Sequence, residues 1–316
     1  MIRPRRIGHA TFETTDLDRA IDYYTQVMGL VLHAREKNRA FLMSKIGILS
    51  VELELAAKSR LKKLSFEVPA DSDFAGVAKF LSGEGIRSDL KSDSVPGVGK
   101  LLAFDDPKGT TIELFSEWSF LGKHLQHYGV GPLKLGHCAY AVADPKAVAD
   151  FYVKILGFKV SDWIEDFFVF LRCGVDHHTV NFVRGPLQQM HHIAFELKDF
   201  AHMQNACELF NQRKIEINWG PVRHGPGHNV AIYHRNADDQ IVEFYIELDQ
   251  MKDEDLGYFD PKPWHHDQPQ RPKVWNRNHS GNLWGPLPMP DFRRENDYRA
   301  GEVQMAERAA AAAGAR

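Results

Sequence analysis

The chain contains its own pattern twice. Residues 7–30, IGHATFETTDLDRAIDYYTQVMGL, lie without a gap over residues 135–158, LGHCAYAVADPKAVADFYVKILGF, at an offset of 128. His9 meets His137, Asp16 meets Asp144, Tyr24 meets Tyr152 and Gly29 meets Gly157. Further on, KKLSFEV (62–68) lies over HHIAFEL (191–197) at 129, and FDDPKGTTIELFSE (104–117) over HRNADDQIVEFYIE (234–247) at 130. Such self-similarity dictates one architecture built twice.

Each copy opens on a short strand and continues with an Asp at a helix start, an amphipathic helix carrying an aromatic pair, and a Gly just past its end. Those residues suit the N-cap and C-cap positions. After LSFEV and IAFEL, residues 74–84 and 200–212 read as second helices, so strand, helix and strands recur twice within each half. The expected fold is α+β, two tandem domains each of two βαβββ modules. We expect a first domain over 1–118, a linker over 119–134 (SFLGKHLQHYGVGPLK) and a second domain over 135–249. A Pro- and Trp-rich irregular tail over 250–316 would then pack on the second domain through Trp264, Trp275 and Trp284 and end in a frayed AERAAAAAGAR.

With 316 residues, 43% hydrophobic and 26% charged, the chain can bury two cores. A net charge of −3, with charges interspersed, supplies no field to recruit nucleic acid or a membrane surface. The first residues lack a signal-peptide apolar run, and no window spans a bilayer, so a cytoplasmic location is the default expectation. Three cysteines, Cys138, Cys173 and Cys207, have no CxxC spacing and read as reduced, buried small hydrophobes.

Three strand positions of the second half can meet: His137 in GHCAYAV, His192 in HIAFEL and Glu243 in IVEFYIE. Two imidazoles and one carboxylate with open positions form the facial set preferred by non-haem Fe(II) oxygenases, and Mn(II) would also accept it. The repeat provides an internal control. His9 and Glu113 keep the first and third positions, but Lys63 stands where the second half has His192. An ammonium has no lone pair, so the first half should be metal-free, with Lys63 pairing with Glu113. Strand alternation places His192 in a row with Ala194, matched by the equally small Ser65, while His191 shares its row with Ile193 and Phe195. His192 is therefore the expected ligand and His191 its neighbour on the opposite face.

His178 and Tyr233 are matched in the first half by Leu49 and Ala103. They disappear where the ligand set is incomplete, as groups serving that set would. An imidazole suits proton transfer and a phenol suits hydrogen bonding to a metal-bound oxygen. His224 lies in RHGPGHNVAIY, where Gly-Pro-Gly argues against a helical zinc pair with His228. By strand phase Ala139 and Phe170 are candidate cavity walls, and Arg172 or Arg223 is a candidate to meet an anionic substituent.

These residues resemble the type I extradiol ring-cleaving dioxygenases of the vicinal oxygen chelate superfamily. That family's carboxyl-terminal signature is carried here by His224, Ile232, Tyr233, Asn236 and Glu243, with Ala237 in place of its Pro and Asp239 in place of its Gly. Both departures fall in a turn and bear on loop geometry. The resemblance implies Fe(II) on His137, His192 and Glu243, His178 as acid/base, and His224 with Tyr233 bonding substrate or oxygen. It also implies an aromatic diol and O2 as partners, with a homo-oligomer as the assembly. Two alternatives remain: isomerase or glyoxalase-type metal chemistry on the same fold, and a metal-free binding or resistance protein.

Overall fold

The computed structural model describes residues 2–122, 128–277 and 282–293. The central part of the expected linker and the Ala-rich end of the tail lie outside the described residues. Four modules follow one another, each strand, helix and three strands. The first comprises β1 (Arg6–Thr14), α1 (Leu17–Asp22), β2 (Val31–Arg35), β3 (Arg39–Met43) and β4 (Leu49–Leu55). The second comprises β5 (Arg60–Glu67), α2 (Phe74–Gly83), β6 (Ser88–Val95), β7 (Val98–Asp105) and β8 (Thr111–Phe115). In the second half the third module is β9 (Lys134–Val142), α3 (Pro145–Leu156), β10 (Lys159–Ile164), β11 (Phe168–Arg172) and β12 (Val180–Arg184). The fourth is β13 (Gln189–Glu196), α4 (Phe200–Arg213), β14 (Trp219–Arg223), β15 (Val230–Arg235) and β16 (Ile241–Ile246).

An aspartate starts the helix of each of the four modules. The Asp16, Asp73, Asp144 and Asp199 carboxylates accept from Arg19 N, Ala75 N, Ala147 N and His202 N, covering backbone donors that have no intrahelical partner. Gly157 ends α3 at φ 72°, a left-handed conformation open to glycine without a Cβ clash. α1 widens into a π-helical turn at Tyr23–Val27, which places the Tyr23 hydroxyl 2.7 Å from His234 Nε2 of the other half.

Modules pair through their first strands. β1 runs antiparallel to β5 and parallel to β4, and β5 runs parallel to β8, giving the order β2-β3-β4-β1-β5-β8-β7-β6. The second half repeats it, from β10 through β9 and β13 to β14. One face of each sheet, with residues such as Ile193 and Phe195, joins the helices in a core continuous across both halves. Phe66 of the first half meets Phe158 of the second edge-on, centroids 5.5 Å apart, and Tyr152 donates to Asp106 at 2.8 Å. Fully burying one such aromatic contributes roughly 1.5–3 kcal/mol.

The tail is more ordered than expected. It carries β17 (Met251–Asp253), β18 (Tyr258–Phe259), β19 (Lys273–Trp275) and the short helix α5 (Pro290–Arg293). β19 adds a ninth, parallel strand beside β10 of the second sheet. Trp264 and Trp284 flank the Arg223 guanidinium at 4.0 and 5.7 Å. No helix among the described residues is long and apolar enough to cross a membrane.

Candidate metal centre and its pocket

Register builds the centre. Ala194 pairs with His137 across the antiparallel β9 and with Glu243 across the parallel β16. The smallest side chain of the row thus separates a histidine on one flank from a glutamate on the other, and His192 lies one step along the same row. His137 Nε2 and His192 Nε2 each sit 3.1 Å from Glu243 Oε2, and all three side chains are buried. Two metal–ligand bonds of about 2.1 Å at right angles place their donor atoms about 3 Å apart. The spacing therefore fits one divalent ion. His192 Nε2 is also buried without a hydrogen-bond partner, an expensive state for a polar atom unless something else uses its lone pair. Asn229 Nδ2 donates to Glu243 Oε1 at 2.9 Å and orients the carboxylate. Burial alone would raise the Glu243 pKa, but His137 and His192 together hold it well below the carboxylate range.

The donors open onto a cavity of about 290 Å³. One wall is Ile164, Phe168, Phe170 and Val183; the other is Trp219, Tyr233 and Phe292. His178, between β11 and β12, sets its ring edge-on to His137 at 4.3 Å and against Phe170 at 5.3 Å. Burial, then the neighbouring His137 and His177, push its pKa well down, so it is a neutral imidazole at pH 7. His224 Nε2 lies 2.7 Å from the Tyr233 hydroxyl, and Tyr233 stacks on Trp219 with centroids 5.2 Å apart. Burial lowers His224 to about 4 and raises Tyr233 well above 10, leaving both uncharged. All six candidates thus border one cavity.

The sequence pattern of the Glyoxalase/Bleomycin resistance protein/Dioxygenase superfamily matches residues 6–114 and again 134–262. The chain belongs to this superfamily. A metapyrocatechase from Pseudomonas sp. (strain CF600) is 24% identical over 249 residues, 72% of this chain and 81% of the relative. A biphenyl-2,3-diol 1,2-dioxygenase from Paraburkholderia xenovorans (strain LB400) is 24% identical over 300 residues, 89% and 94% of the two chains. The crystal structure of a Mn(II)-bound glyoxalase from Novosphingobium aromaticivorans is 24% identical with a TM-score of 0.77, covering 92% of this chain and 95% of that one.

Within this superfamily fold four sequence expectations need correction. His191 does not face away: a bulge between Met190 and His192 leaves it unpaired with β9, and both rings border the cavity. A bulge adds a residue and breaks the strict alternation of faces. His191 Nδ1 lies 2.5 Å from His192 Nδ1, and its ring packs edge-on against Phe292. Second, Lys63 bonds Glu52 and Glu54 at 3.1 and 2.9 Å, while Glu113 instead accepts from Ser65 Oγ at 2.6 Å and faces His9 at 3.5 Å. Those carboxylates project from β4 on the same side as Lys63 and are closer than Glu113. Third, neither arginine reaches the cavity. Arg172 is held by Glu254 and the Val160 carbonyl, Arg223 by Glu247 and the His228 carbonyl. Fourth, of the two wall candidates Phe170 lines the cavity, whereas Ala139, buried on β9 opposite His192, is not among its lining residues.

Asp239 adopts φ 61° and its counterpart Gly109 φ 79°, so the turn keeps its left-handed residue with a side chain that tolerates it. His228 and His265 bond separate oxygens of buried Asp249 at 2.7 and 2.8 Å, clamping the tail to the domain. Asn229, Trp219 and Phe292 were not singled out from sequence. Trp219 and Asn229 carry no motif, and Phe292 arrives from a tail that has no repeat partner.

Proposed function

We propose that this chain is an Fe(II)-dependent extradiol dioxygenase, cleaving an aromatic diol beside its hydroxyls with insertion of both atoms of O2. His137, His192 and Glu243 would hold the metal. When bound, Fe(II) would gather the two diol oxygens and O2 and let electron density pass from ring to oxygen, which proximity alone makes far more probable than in solution. His178, neutral and buried, would take a diol proton at a ring nitrogen and later return it. Tyr233, its hydroxyl tied to His224, would direct a hydrogen bond at oxygen on the opposite side. Phe170, Trp219 and Phe292 would sandwich the ring and exclude water.

The observation that carries this reading is the convergence of three metal donors and three uncharged proton-handling groups on one mostly apolar cavity. Relatives named for dioxygenase activity on aromatic diols agree with it. Glyoxalase-type isomerisation would need a metal-bound carboxylate free to act as base. Here Asn229 occupies one Glu243 oxygen and both imidazoles crowd the other. Among the described lining residues there is no second carboxylate. The test is anaerobic loading with Fe(II) or Mn(II), metal analysis, and an oxygen electrode with a panel of catechols and trihydroxybenzenes. The reading expects retained metal and O2 uptake coupled to a yellow ring-opened product. Isomerase activity on a 2-oxoaldehyde hemithioacetal, with no O2 uptake, would decide for the alternative.

A further inference from the structure

Beyond the cavity lies a buried chain of hydrogen bonds that ends on His178. His177 Nδ1 sits 2.9 Å from His178 Nδ1, and His177 Nε2 sits 2.9 Å from Asp162 Oδ2. The tail completes it: Lys273 N donates to Asp162 Oδ1 at 2.9 Å and Trp275 Nε1 to Oδ2 at 2.7 Å. Asp162, His177 and His178 are all buried. We infer that Asp162 and His177 are positioning residues that fix the tautomer of His178 so that Nε2 carries its free lone pair.

The direction of each bond follows from the donors. Lys273 N–H and the Trp275 indole N–H can only donate. Oδ2 already receives the indole, so a proton on that oxygen would oppose it, and His177 Nε2 must be the donor. The inference assigns His177 a single ring proton, at Nε2, which leaves only a lone pair at Nδ1. His178 must therefore donate from its own Nδ1. Its Nε2 is left unprotonated, and among the described residues it makes no hydrogen bond. When His178 takes a proton at Nε2, its Nδ1–H still points at His177, whose far side is held by a carboxylate.

The first half shows that the chain is not a general feature of this fold. β2 and β10 share a bulge at the same place, so Ala34 is the structural equivalent of Asp162. Ile48 and Leu49 stand where His177 and His178 stand. All three members are lost together with the complete ligand set. Asp162 also sits directly after its bulge at Ser161, and among the described residues β19 has no counterpart in the first sheet. The tail thus does more than cover the domain, since it supplies two of the three donors that fix Asp162.

What His178 Nε2 then does rests on the dioxygenase reading, but its tautomer does not. The test is long-range 15N NMR of histidines in the metal-free full chain, with the His178 signals identified by their loss in His178→Gln. The wild type should show His178 protonated at Nδ1 alone. His177→Phe should shift it toward the Nε2–H form or a mixture. His177→Gln, whose amide can accept from His178 and donate to Asp162, should restore the Nδ1–H form. In the loaded enzyme Asp162→Asn and His177→Phe should lower kcat at least tenfold with KM within about threefold, and His177→Gln should recover most of the loss. His178 in the Nε2–H form in the wild type, or a tautomer that His177→Phe leaves unchanged, overturns the inference. A chain inert to O2 whose His178 behaves as stated refutes the reaction and supports the positioning.

Discussion

Replacing His178 by Phe separates its chemistry from its packing. Phe keeps a flat ring between His137 and Phe170, whose centroids lie 4.3 and 5.3 Å away, so the cavity wall survives. The loss is one hydrogen bond, which strands the buried Nδ1 of His177. Leaving a buried acceptor unpaired costs about 1–3 kcal/mol, equivalent to a Tm drop on the order of 2–10 °C. Neither His137, His192 nor Glu243 is touched, so metal content should remain at wild-type stoichiometry. The rate should fall roughly 10²- to 10⁴-fold, the usual contribution of a positioned acid/base, or about 3–5.5 kcal/mol of barrier. Stopped-flow formation of the yellow product at saturating diol, alongside metal analysis and a melting curve, measures all three. A variant that retains metal and turns over within tenfold of wild type would refute the role given to His178.

His192→Ala should abolish metal retention on gel filtration. His191→Ala removes the partner of His192 Nδ1 and a ring contact to Phe292 but no metal donor, so metal affinity should weaken about 10- to 100-fold and not vanish, read by competition with a chelating dye. Phe292→Ala opens the cavity wall beside Tyr233 and Trp219 and should raise kcat/KM for bulkier diols relative to catechol in a paired-substrate assay. In the first half, burial works to raise Glu113, but His9, Lys63 and Ser65 bring it down to about 2 from 4.5. A carboxylate depressed in the folded state stabilises above its unfolded pKa, and that stability is lost as pH falls from about 4.5 through about 2. It amounts to on the order of 3 kcal/mol. Glu113→Gln should flatten the Tm–pH slope in that window, and an unchanged slope would contradict the pairing.

The four-module fold was legible because duplication displays each of its elements twice, with Asp at the start of each module's helix. The candidate metal set was legible for a related reason: Lys63 beneath His192 marks the half in which the set of three donors is incomplete. What escaped the sequence lies where local rules break. The bulge at His191 reverses the face that alternation assigns, and Lys63 chose partners on β4 that no linear pattern pairs with it. Asp162 follows a bulge of its own and is recognisable only once Trp275 arrives from 113 residues away. Phe292 and His265 belong to a tail without an internal counterpart, so comparison of the halves is silent about them.

Labelling with 18O2 tests the central claim most directly. The Fe(II)-loaded chain, given a diol it turns over, should consume one O2 per diol, and mass spectrometry of the promptly trapped product should find both 18O atoms in the ring-opened molecule. Only one labelled atom, or turnover without O2, would contradict an extradiol dioxygenase.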